Sequence, residues 1–111
     1  MIDALYDVEF VSNVKTGGHG IVIFHDGLVM GGNASFVYMG TYGIDDGLIS
    51  AKISCKNDIG VMATIFGDPI EFSFTLTGKV GDEEEIVLKG ALIDDPTKLV
   101  FMKLNRRAEL P

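Results

Sequence analysis

Alternation decides what this chain can fold into. After Pro69, the side chains of Ile70, Phe72, Phe74 and Leu76 point one way and those of Glu71, Ser73, Thr75 and Thr77 the other. A period of two marks a strand with one face buried. The same period opens the chain, where Tyr6, Val8 and Phe10 alternate with Asp7 and Glu9 between Ala4 and Ser12. Further apolar runs cover 20–25, 28–30, 35–42, 48–56, 85–92 and 98–105, each bounded by turn residues. Asp26-Gly27 separates two of them. Asp-Gly in that place signals a type I′ hairpin, because both central residues of that turn need positive φ. Gly17-Gly18 reads as a break, and Gly31-Gly32-Asn33, Asp45-Asp46-Gly47, 78–84 and 93–97 read as turns. The stretch 57–68 is ambiguous. Ile59, Met62 and Phe66 have helix-like spacing, while Gly60 and Gly67 favour a loop.

About eight short strands with turns every ~8–15 residues predict an all-β sandwich or barrel. The connections are too short for parallel crossovers, so the strands run up and down. Closure into a barrel also removes exposed edges. The expected fold is therefore an all-β, eight-stranded antiparallel up-and-down β-barrel, one domain over residues 1–111. Two runs depart from alternation: Ile21-Val22-Ile23-Phe24 and Leu99-Val100-Phe101-Met102 are apolar on both faces. Such strands need cover outside as well as inside. Either the stretch 57–68 supplies it or a second copy does, in a homodimer.

Charge narrows the function classes. Sixteen acidic and nine basic residues give a net charge of −7 and a pI of about 4.6. That excludes a general nucleic-acid binder, whose affinity comes from Lys and Arg on phosphates, and disfavours an anionic membrane surface. A lone cysteine, Cys55, leaves no internal disulfide. No apolar run approaches the ~20 residues of a spanning helix, and no signal-peptide pattern opens the chain. The expectation is a cytoplasmic protein.

Chemistry-bearing motifs are sparse. Gly17-Gly18-His19-Gly20 leads into a strand and lacks the lysine of a phosphate loop. His19 and His25 share a strand face but stand roughly 20 Å apart, too far to share a metal ion. Cys55 reads as a small buried hydrophobe, since a reactive thiolate needs an activating charge. No G-x-S-x-G elbow is present. No cofactor, metal or catalytic residue is expected, and an enzyme using a carboxylate inside the barrel ranks last. The acidic residues gather at 45–46, 82–85 and 94–95, beside turns. These are solvated tips or a docking surface for a basic partner. Lys98, Lys103, Arg106 and Arg107 gather near the end, as a solvated terminus or a contact patch. Tyr6, Val8, Phe10, Phe72, Phe74 and Leu76 should face inward, where they fill a core or line a lumen that takes a small apolar ligand.

One ordered string carries a resemblance. Leu5-Tyr6-Asp7-Val8-x-Phe10-Val11-Ser12-Asn13 is followed by Gly20-Ile21-Val22-Ile23, Gly27, Met30-Gly31-Gly32 and Ser35-Phe36-Val37-Tyr38-x-Gly40. This resembles the GrlR-type negative-regulator family over roughly the first half of the chain; the second half fits in strand rhythm. The resemblance implies a lipocalin-like eight-stranded barrel that dimerises and has no catalytic activity. It implies sequestration of a helix-turn-helix transcriptional activator, and so repression of type III secretion genes. In that family an exposed acidic run after the Tyr-x-Gly strand contributes to activator binding. The matching place here is Ile44-Asp45-Asp46-Gly47, which makes Asp45 and Asp46 the partner-binding candidates.

Overall fold

Each alternating run becomes a strand in the computed structural model, which describes residues 2–13, 17–34, 36–56, 71–81 and 84–111. The strands are β1 (Ala4–Ser12), β2 (Gly17–His25), β3 (Leu28–Gly32), β4 (Val37–Asp45), β5 (Leu48–Lys56), β6 (Glu71–Lys79), β7 (Glu85–Leu92) and β8 (Leu99–Ala108). They pair in sequence order, every pair antiparallel, and β8 pairs with β1 to close the barrel. The closing pair holds register from Tyr6 opposite Arg106 to Ser12 opposite Val100, with one irregularity between Leu5 and Tyr6.

Residues of one parity fill the inside. Tyr6, Val8, Phe24, Phe74, Leu76 and Leu104 are fully buried. Among the described residues no polar or charged residue is buried. Burial of this one apolar face, at about 25 cal/mol per Å², is the main force holding the strands in register. The Tyr6 hydroxyl escapes the cost of an unpaired polar group by donating to the Ile2 carbonyl at 2.6 Å. Buried Ile2 thereby covers one end of the core.

The hairpin signals hold. Asp26 (φ 50°) with Gly27 (φ 80°), and Asp46 (φ 53°) with Gly47 (φ 76°), both have the two positive φ values of a type I′ turn. Several expectations need correction. Asp45 is the last residue of β4, paired with Leu48, so the turn consists of Asp46-Gly47 alone. Gly17 and Gly18 do not break the chain; they begin β2, opposite Val11 and Phe10. Gly31 and Gly32 belong to β3, opposite Val22 and Ile21. They lie in the strand because neighbouring backbone comes too close for a side chain: a Cβ on Gly31 would run into the Ile21 carbonyl. The fourth strand starts at Val37 and runs on to Asp45, the sixth continues through Gly78 to Lys79, and the eighth continues to Ala108. The question of a helix at 57–68 lies outside the described residues.

Candidate functional site

Strict up-and-down order sorts the turns into two sets. The β2–β3, β4–β5 and β6–β7 turns lie at one end, with the start of β1 and the finish of β8. That end gathers Asp3, Asp26, Asp45, Asp46, Glu84 and Glu85. Hydrogen bonds stitch its turns together. Val80 N–H donates to the Gly47 carbonyl at 3.0 Å, Tyr42 N–H to Gly27 at 2.9 Å and Arg106 N–H to Glu84 at 2.8 Å. The Asp46-Gly47 turn thus stands beside the β6–β7 turn. Asp94 and Asp95 lie at the opposite end, between β7 and β8, where hydrogen bonds from Thr97 hold the Asp95 carboxyl below its ordinary value.

Asp45 and Asp46 are exposed, and no ion pair among the described residues neutralises either. Ile44 and Leu48 lead into and out of the turn with nearly half their surface exposed. An acidic tip with apolar flanks can offer charge for steering and apolar area for contact. Asp26 was not among the acidic groups read from the sequence, and Glu84 stood there only within the group 82–85, with nothing to place it beside Asp45 and Asp46. The signal for them was turn parity: in an up-and-down barrel, every second turn shares an end.

The same end carries an anchor that the sequence did not reveal. Tyr42 Oη donates to Asp3 Oδ1 at 2.5 Å, Asp26 N–H donates to Asp3 Oδ2 at 3.3 Å, and His25 Nδ1 lies 3.7 Å from Asp3 Oδ2. The Tyr42 hydrogen bond leads in holding the Asp3 carboxyl below its ordinary range. Burial, and then the Asp3 bond, push the Tyr42 phenol up to about 12. This cluster ties the chain's first residues to the β2–β3 hairpin and β4.

The six inward candidates all face the lumen, as expected. Tyr6, Val8, Phe74 and Leu76 are fully buried, while Phe10 and Phe72 are partly buried against the core. Away from the acidic end the rings form a chain: Phe10 meets Tyr38 at 5.2 Å and Phe74 at 6.1 Å, Phe72 meets Phe74 at 6.1 Å, and Phe36 meets Phe72 at 5.7 Å. Asn33 braces the β3–β4 turn at this end. Its amide donates to Tyr38 Oη at 2.7 Å and to the His19 carbonyl at 2.9 Å, and its oxygen accepts from Phe36 N–H at 2.8 Å. Burial raises the Tyr38 phenol to about 12.

The remaining candidates resolve simply. Cys55 is buried in the core, and burial raises its thiol to about 12, so it stays protonated. His19 and His25 both point outward, with 82% and 60% of their side chains exposed. Lys98, Lys103 and Arg107 form loose surface pairs with Asp95, Glu85 and Asp7 at 3.9, 3.8 and 3.2 Å, which spreads the terminal basic group over three places. No helix among the described residues is long and apolar enough to cross a membrane.

No protein-family model matches the chain, and no curated protein matches it. Among solved structures, a redesigned beta barrel aligns over 96% of this chain and 91% of its own, at a TM-score of 0.51 and 10% identity. The chain is similar to that protein in fold, a β-barrel, and at this identity in fold alone.

Proposed function

We propose that this barrel is a non-catalytic binding protein of the cytoplasm whose acidic end masks a basic surface on a protein partner, such as a DNA-binding activator. One observation carries the reading: three turns bring Asp26, Asp45, Asp46 and Glu84 to one end, with exposed Ile44 and Leu48 among them. A helix-turn-helix protein presents Lys and Arg to phosphates, and an acidic face that covers those residues competes with DNA. The resemblance to the GrlR-type family, with its lipocalin-like barrel, supports the same role for Asp45 and Asp46. The test is capture from the native host with wild-type protein and with Asp45→Lys plus Asp46→Lys. A basic protein retained by the wild type and lost by the double variant is the expected result. An unchanged set of retained proteins would sink the assignment.

A second reading is favoured by the aromatic end. Phe10, Phe36 and Phe72 are only partly buried there, and a small apolar ligand could settle on their rings. Native mass spectrometry of protein purified from its own host decides this reading: a bound apolar mass supports it, and a bare 12.0 kDa chain removes it.

A further inference from the structure

Strand register sorts the lysines as well as the acids. Lys98, Lys103 and Arg107 stand beside Asp95, Glu85 and Asp7. Lys52, Lys56, Lys79 and Lys89 make no ion pair among the described residues, and all four are exposed. All four also lie on one outer face, that of β5, β6 and β7. Its central rows hold hydroxyls and lysines alone. Thr41, Lys52 and Thr75 adjoin across β4–β6, and Ser50, Thr77 and Lys89 across β5–β7. Between these rows and Lys56, the Ser54 and Ser73 hydroxyls bond to each other at 2.7 Å. Acids reach only two corners: Glu71 opposite Lys56, and Asp45 in the row that runs through Leu48 to Lys79.

In a chain with sixteen acids and a net charge of −7, this separation forgoes pairing that a scattered arrangement would make. Charges more than ~8–10 Å away are screened in physiological salt, so the face acts by its local sign, which is positive. A complementary occupant is therefore anionic. Its form follows from spacing. Lys52 and Lys89 lie two strands and one two-residue step apart, roughly 12 Å. Hydroxyls able to donate hydrogen bonds fill the interval. A single small ion does not span it, so an extended chain with several anionic groups fits. A nucleic acid adds bases that need rings to stack on, and β5, β6 and β7 present no aromatic residue outward. Its charge is also continuous, so the net −7 opposes it along its whole length. A protein can carry acid in one segment and other contacts beside it. Met39, opposite Ser54, and Phe101, opposite Lys89, flank the face at 57% and 46% exposure and are placed to meet them.

We infer that the outer face of β5–β7 docks an acidic segment of a partner protein. Lys52 and Lys89 supply the central charge, and Lys56 and Lys79 extend it toward the two ends of the barrel. The threonine and serine hydroxyls between them donate to carboxylates and to backbone carbonyls. Exposed charges of this kind give modest, salt-sensitive binding. The inference does not rest on the docking role proposed for Asp45 and Asp46, which takes a partner of opposite sign at a different place.

Fluorescence anisotropy of a short synthetic peptide that alternates Glu and Ser, titrated with the full chain, tests this. Wild type is expected to bind it at low salt and to lose about tenfold or more in affinity between 50 and 500 mM salt. Lys52→Glu plus Lys89→Glu should weaken low-salt binding at least about tenfold, with the melting temperature of a folded barrel. Lys52→Gln plus Lys89→Gln adds no repulsion and should weaken it about threefold or more; this pair decides the matter if the reversal unfolds the chain. Lys98→Glu plus Arg107→Glu changes the net charge equally on other surfaces and should leave binding within about twofold. Absence of wild-type binding overturns the inference. So does a Lys52 and Lys89 pair that binds like wild type, or an equal loss in the Lys98 and Arg107 pair, which would make net charge the cause. A single-stranded oligonucleotide of matched charge that binds the same lysines more tightly than the peptide overturns the protein occupant. Asp45→Lys plus Asp46→Lys should leave peptide binding no weaker, so the acidic-end reading can fail while this one stands, and the reverse.

Discussion

At the scale of single residues, the barrel's few interior polar groups are phenols, and each is tied to a named partner. Tyr42 on Asp3 is the tightest, at 2.5 Å. A hydrogen bond to a carboxylate contributes more than a neutral one, and Tyr42→Phe should cost about 1–2 kcal/mol in urea unfolding at neutral pH. The pH dependence follows in sign. Asp3 titrates lower in the folded chain than its ordinary 3.8. Its contribution is fully present above that value and disappears as pH falls through the lower, folded one. Between pH 5 and 2 wild type should lose more stability than Asp3→Asn, and equal losses would discard the anchor. Tyr42 is shifted the other way, to about 12. Its contribution is complete below pH ~10 and is lost between ~10 and 12, an alkaline slope that Tyr42→Phe should flatten. None of this was legible in the sequence, because Asp3 and Tyr42 meet only after three hairpins have formed. Cys55 was legible: a lone cysteine on the buried parity of a strand. With its thiol buried and raised to about 12, it should react with thiol reagents at pH 8 only as fast as the barrel opens. Prompt reaction in the folded state would contradict its burial.

At the scale of elements, local chemistry predicts turns better than it predicts where glycines fall. Asp26-Gly27 has the expected type I′ conformation, and Asp46-Gly47, expected only as part of a turn, adopts it too, because that turn is fixed by its own two residues. The Gly-Gly pairs at 17–18 and 31–32 look identical as punctuation, yet they lie in strands. At 31–32 the reason is non-local: neighbouring backbone comes so close that only glycine fits, whereas a Cβ on Gly18 would meet open space. Gly20 shows the same rule with a ring, since a Cβ there would strike the Tyr38 side chain. Of the glycine string behind the resemblance, Gly20 makes room for Tyr38, Gly31, Gly32 and Gly40 make room for backbone, and Gly27 serves a turn. Two substitutions separate the cases. Gly47→Ala, at φ 76° with open space around it, should cost about 1 kcal/mol and leave the fold intact. Gly31→Ala meets the Ile21 carbonyl and should cost about 3 kcal/mol or more, or prevent folding. Thermal melts of the two variants check the order, and equal losses would remove the close-approach argument.

At the scale of the whole molecule, closure turns a list of strands into a body with two unlike ends. Asp45 and Asp46 could be picked from the sequence as exposed acids. That Asp26 and Glu84 join them, while Asp94 and Asp95 lie opposite, follows only once the strand order is known to be strictly up and down. With a net charge of −7, this uneven distribution gives the acidic end a field that reaches beyond contact distance. A basic partner would be drawn to that end before it touches it, and salt would screen the attraction. The association rate with such a partner should fall about tenfold or more between 50 and 500 mM salt, while the dissociation rate changes little. Charge at the tip mainly sets the approach, and contacts of side chains such as Ile44 and Leu48 set the residence time. Asp45→Asn plus Asp46→Asn should therefore slow association and flatten its salt dependence. Ile44→Ser plus Leu48→Ser should speed dissociation and leave the salt slope unchanged. Stopped-flow binding at several ionic strengths separates the two pairs. If both pairs altered only dissociation, the acidic end would act through contact alone, and its field would have no part in binding.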